Sequence, residues 1–68
     1  MGQRSADQHF IVMMIPHHRM GVMMATHAQW NTQHLELREL EAAMVKVQSE
    51  EIAQMERWYR QWYGPSVR

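Results

Sequence analysis

Met13-Met14-Ile15-Pro16-His17-His18-Arg19-Met20-Gly21-Val22-Met23-Met24 decides how this chain folds. A proline inside a helix removes one hydrogen bond and clashes with the carbonyl four residues back, here that of Val12. Either the helix kinks at Pro16, or it breaks and a second helix starts on the proline. The apolar spacing decides between them. Phe10, Met14, His17, Gly21, Met24 and Ala28 advance in alternating steps of four and three, a heptad stripe whose phase runs through Pro16 undisturbed. The expectation is one continuous helix, kinked at Pro16.

Working outward, Ser5-x-x-Gln8 fits a capping box and Asp7 suits the positive end of a helix dipole, so the first helix starts near residue 5. Polar Gln29, Asn31, Thr32 and Gln33 mark a turn, with Thr32 or Asn31 as N-cap of the next helix. Leu37, Leu40, Met44, Val47 or Gln48, Glu51, Met55, Trp58 and Trp62 then keep the same alternation up to the stop signal Gly64-Pro65. Helices over about 5–30 and 33–63, roughly 37 and 46 Å long, joined by a short connection, make an antiparallel hairpin. Residues 1–68 form a single all-α domain. Trp30, Trp58 and Trp62 read as apolar anchors. Glu36, Glu39, Glu41, Glu50 and Glu56 read as a solvated face, with Glu56 and Arg60 paired along the helix.

With 68 residues and no cysteine, the chain has neither the size for a large core nor disulfides to brace a small one. Chains this short are held by metals, disulfides or self-association. A two-helix hairpin leaves its apolar stripe uncovered, and two copies related by a two-fold axis would close a four-helix bundle. The balanced charge, seven basic against seven acidic residues, argues against nucleic acid as a partner. No apolar run reaches the length of a membrane span, and Met1-Gly2-Gln3-Arg4 carries no apolar segment of a signal peptide.

Five of the eight methionines and two of the five histidines lie in the quoted stretch. Thioether and imidazole bind soft and borderline metals without a thiolate. Met13 with His17, Met14 with His18 and Met23 with His27 stand four apart, on one helix face. A turn centred between residues 32 and 33 would set His17 opposite Gln48, Met14 opposite Glu51, Phe10 opposite Met55 and Asp7 opposite Trp58. Gln48 and Glu51 interrupt the apolar stripe of the second helix. A buried carboxylate needs a partner or a cation, which histidines in the same layer would supply, while Asp7 would accept the Trp58 indole N–H.

Asp7-x-x-Phe10-x-x-x-Met14-Ile15-Pro16-His17-His18, then Met24-Ala25, Leu37, and Gln48-x-x-Glu51-Ile52-x-x-Met55-x-x-Trp58 closely resemble the pattern of the "domain of unknown function 305" family. That family has a ferritin-like four-helix fold and includes CopM-type copper-binding proteins. The resemblance runs from about Asp7 to Trp62. It implies a bacterial, periplasmic or secreted protein that binds copper or silver in metal tolerance. By position it implies Met14, His17, His18, Met24, Gln48, Glu51 and Met55 as ligands, with Asp7 in support. Two departures stand out. Family members often carry a proline near the start of the second helix, where this chain has Leu35 after His34, and exported members carry a leader.

Against this stands the plainer reading, in which methionines at helical spacing fill a core and Glu51 is a structural acid paired with His17. His9 and His34 read as solvated or capping residues, and His27 with Met13 as a peripheral site. Di-iron carboxylate chemistry wants Glu-x-x-His motifs, which the chain lacks. Zinc hydrolysis wants HExxH, also absent. No feature demands haem. The expected function is therefore non-catalytic. A copper ion, as Cu(I) or Cu(II), and by softness Ag(I), would be held for sequestration or carriage. A structural bundle without metal is the alternative. Imidazole ligates only when deprotonated, so uptake should weaken in acid.

Overall fold

Two helices, α1 over Ala6–Ala28 and α2 over Leu35–Trp62, pack against each other as an antiparallel hairpin. The structure, a computed structural model, describes residues 4–65, so the first three and last three residues of the expected domain lie outside it. The hairpin is a rod measuring 51 × 17 × 16 Å. At that width few side chains are enclosed. Ile11, Ile15, Ala25, Met55 and one acid, Glu41, are buried among the described residues.

Local chemistry sets the ends of the helices. Ser5 Oγ accepts the Gln8 backbone N–H at 3.1 Å and caps α1. The other half of the capping box is not made, because the Gln8 amide donates instead to the Tyr59 hydroxyl of α2 at 3.2 Å. At the far end, Tyr63 N–H and Gly64 N–H both donate to the Tyr59 carbonyl, at 2.8 and 3.3 Å. Gly64 there adopts a φ of 143°, a conformation open to glycine. α1 runs through Pro16 without a break.

The loop departs from expectation. Gln29, Trp30, Asn31 and Thr32 continue to donate backbone hydrogen bonds to carbonyls of the last turn of α1. The chain therefore stays wound to Thr32, and the N-cap of α2 is His34, which makes no side-chain capping bond. Thr32 does other work. Its Oγ1 lies 2.7 Å from the Ala28 carbonyl oxygen and 3.0 and 2.8 Å from the two carboxylate oxygens of Glu41. One hydroxyl proton serves these acceptors in turn. Glu41, expected on the solvated face, is thus the one buried charged residue among those described. Trp30, expected to anchor, is 83% exposed, because it sits on the loop beyond the packed seam.

Winding the loop slides the two helices by about one turn, ~4 residues, relative to the expected register. Gln48 faces Gly21 rather than His17, its amide lying against the bare Cα of the glycine. Glu51 faces His18, and Glu56 takes Arg19 of α1 as its partner at 2.6 Å instead of Arg60.

The seam itself is a heptad, but one residue over from the expected stripe. In α1 it comprises Gln8, Ile11, Ile15, His18, Val22 and Ala25, and in α2 Glu41, Val45, Gln48, Ile52, Met55 and Tyr59, every one buried or half-buried. The core proper is Ile11, Ile15 and Met55, with Met14, Ile52 and Tyr59 packed on it. The expected stripe exists too, and lies alongside. Phe10, His17, Met24, Leu37, Leu40, Val47, Glu51, Trp58 and Trp62 are exposed. Each helix therefore carries two neighbouring apolar stripes. The compact Ile and Ala side chains close the hairpin, and the longer Phe, Met and Trp side chains stay outside.

Candidate metal centre

His18 occupies the middle of the seam, where α1 presents it to α2. Its ring is fixed from both sides. Nδ1 lies 3.0 Å from the Met14 carbonyl oxygen, one turn back on the same helix. Nε2 lies 2.9 Å from a carboxylate oxygen of Glu51. A neutral imidazole has one proton and here faces two acceptors. With Nδ1–H donated to Met14, Nε2 is left as a lone pair pointing at a carboxylate. A cation at Nε2 resolves that opposition, and the carbonyl on Nδ1 is the kind of outer partner that orients a ligating histidine.

Phe10, His18, Glu51, Gln54, Met55 and Trp58 line an open groove of about 420 Å³ around this pair. A neighbouring hollow of about 290 Å³ shares Phe10, Met55 and Trp58 and adds Asp7, Ile11 and Trp62. Trp58 and Trp62 stack, with ring centroids 5.6 Å apart and planes 5° from parallel, and form one wall. Among the described residues no three His, Asp or Glu side chains converge. The donors nearest the His18–Glu51 pair beyond those two are sulfur atoms. Met55 lies in the groove wall, and Met14 packs on the core beneath.

The expected ligands are thus separated. His18, Glu51 and Met55 share the groove, with Met14 beside it. Gln48 is half-buried but turned to Gly21, one turn nearer the loop. His17 is exposed, its ring centroid 6.4 Å from that of His18, and takes no part in the pairing that was expected of it with Glu51. Met13, Met24 and His27 are exposed and line neither hollow. Asp7 and Trp58 border the same hollow, but no hydrogen bond joins them among the described residues. Glu51 itself is not buried: its side chain is 53% exposed at the groove mouth. Gln54 was not singled out from sequence. Its position three residues after Glu51, on the same helix face, was the available signal.

Fold and groove together define a cysteine-free helical hairpin that presents histidine, methionine and carboxylate side chains to one open cleft. The chain belongs to the family described as Domain of unknown function (DUF305), whose pattern it matches over residues 2–67. No curated protein sequence matches it. Among solved structures it is similar to CopM in the Ag-bound form, with 38% identity and a TM-score of 0.90 over 96% of this chain and 48% of that one. CopM in the Cu(I)-bound form gives the same identity and score, over 96% and 47%. CopM in the apo form gives 40% identity and a TM-score of 0.88, over 91% and 46%. The chain therefore spans about half the length of the CopM chains that it matches. No helix among the described residues is long and apolar enough to cross a membrane.

Proposed function

We propose that this chain binds copper as Cu(I), and Ag(I) with it, through imidazole and thioether donors, and that it sequesters or carries the metal without catalysing a reaction. The observation that carries the reading is the state of His18: its ring is oriented by the Met14 carbonyl, and its other nitrogen opens on a groove that also offers Met55 and Glu51. The likeness to a protein whose structures hold Cu(I) and Ag supports the choice of metal. So does ligand softness, which favours these ions over zinc or iron where sulfur is the donor at hand. Cu(II) would engage the same imidazole and the Glu51 oxygen with less help from sulfur. An exported, periplasmic setting suits a cysteine-free copper carrier, since no thiol is present to oxidise. Self-association into a four-helix bundle belongs to the same reading.

Anaerobic titration of Cu(I) against a chromophoric chelator tests it. The chain should compete for the metal, and His18→Gln should abolish competition with helicity unchanged. Met55→Leu keeps the volume and removes the sulfur, so it should weaken binding while leaving the fold in place. The Glu51–His18 pair also fits a purely structural domain. An unaltered chain that takes up no metal would select that second reading.

A further inference from the structure

We propose that a second copy of this chain seats on the open face and that the metal site is shared, the His18–Glu51 groove of one copy closing on that of the other. This rests on the metal-binding reading above and adds where the rest of the site comes from. The face is defined by exposed Phe10, Met24, Leu40, Val47, Trp58 and Trp62, which continue the outer heptad stripes of both helices. Glu39, Lys46, Glu50 and Arg57 lie on the far side of α2, a turn or less from these apolar positions in sequence but on another face. Monomeric domains rarely expose so continuous an apolar strip, and such a strip marks an interface.

The position of the site says what kind of interface. His18 is next to the middle residue of α1, and Glu51 is within a turn of the middle of α2. In an isologous contact, features at the ends of a rod meet the opposite ends, whereas a feature at the middle meets itself. Docking face to face about a two-fold axis therefore brings the two His18–Glu51 pairs to one level. Alone, the hairpin offers one imidazole and one carboxylate, and no third His, Asp or Glu among the described residues. Doubled, it offers two of each, with the thioethers of two Met55 side chains in the walls. The occupant is a second copy because the matched CopM chains carry about as much length again beyond the hairpin, and because a chain of zero formal net charge does not repel itself.

Sedimentation equilibrium and metal analysis of the 68-residue chain, metal-free and with Ag(I) as probe, test this. Twice the chain mass is expected in both states, with one Ag(I) per two chains at saturation and a dimer dissociation constant lowered roughly tenfold or more by Ag(I). Leu40→Lys places a charge in the face outside the groove and should give single-chain mass. Should that variant unfold, Glu51→Leu decides: removing the one acid from the face should tighten the metal-free dimer, and a looser dimer would overturn the docking face. Single-chain mass with Ag(I) still bound, or one Ag(I) per chain, overturns the shared site while leaving metal binding intact. A dimer that takes up no Ag(I) overturns the shared site and the metal-binding reading together.

Discussion

Glu41 and Glu51 lie on the same helix and are held in opposite ways. Glu41, 6% exposed, is enclosed at the loop end, and both its oxygens face one threonine hydroxyl that also reaches the last carbonyls of α1. Glu51, at the middle of the rod, has half its side chain in solvent and one oxygen on His18. The first arrangement has no room for exchange, since a carboxylate that lost Thr32 would be buried without a donor. The second permits exchange. If a cation takes Nε2 of His18, the released Glu51 turns to water or to the cation at little cost. The loop end latches the hairpin, and the middle is free to bind.

The sharpest test of that division acts on the middle. Loss of an outer partner alone lowers metal affinity 10–100-fold, so removing the ligating ring in His18→Gln should lower it by on the order of 100-fold or more. The thermal midpoint should stay close to that of the unaltered chain, because His18 contributes an exposed ion pair rather than core volume. A competition titration and a melting curve on the same sample check both halves of the statement. A large fall in midpoint with affinity retained would reverse the roles of the two regions.

At the loop end the expected effect is on stability alone. Thr32→Val keeps the shape and removes the hydroxyl, leaving the Glu41 carboxylate buried without a donor at a cost of about 2 kcal/mol. In a domain this small that corresponds to roughly 10 °C in midpoint. Metal affinity should not change. An unmoved midpoint would mean that Glu41 is not enclosed in solution.

The two acids also show where sequence reasoning stops. Features settled within a few residues were legible. Ser5 caps α1, Gly64 ends α2 at positive φ, and the helix passes through Pro16 because apolar phase on either side agrees. Choosing between two adjacent heptad stripes was a different matter. Each helix carries both, and the stripe with Phe10, Met24 and Trp58 is the more apolar in side-chain size, so it looks like the core. Helix-to-helix distance chose otherwise: Ile15, Gly21 and Ala25 allow close approach and larger side chains do not. The loop added a second error of the same kind. Polar residues 29–32 read as a turn, yet their backbone stays hydrogen-bonded to α1, and the register moved by one turn. Together these shifts enclosed Glu41, opened Glu51, and exchanged His17 for His18 as the partner of Glu51. Glu51, Met55 and Trp58 were still read into the neighbourhood of the histidines, since one turn of slip leaves them within the same groove.

The smallest expected effect separates charge from hydrogen bonding at the open acid. Glu51→Gln retains an oxygen that accepts from His18 Nε2–H and removes the negative charge. An ion pair whose acid is half in solvent contributes about 0–1 kcal/mol, so the midpoint should move by no more than a few degrees. The corresponding Glu41→Gln change acts on an enclosed group and should move it further, since the new amide N–H₂ brings donors for which the pocket offers only the Thr32 oxygen. Metal affinity should respond in the reverse order. Glu51→Gln should alter it measurably, though by less than His18→Gln, because the carboxylate faces the nitrogen that a metal must take, whereas Glu41→Gln should leave it untouched. Equal effects of the two glutamines on both midpoint and affinity would erase the distinction between latch and site.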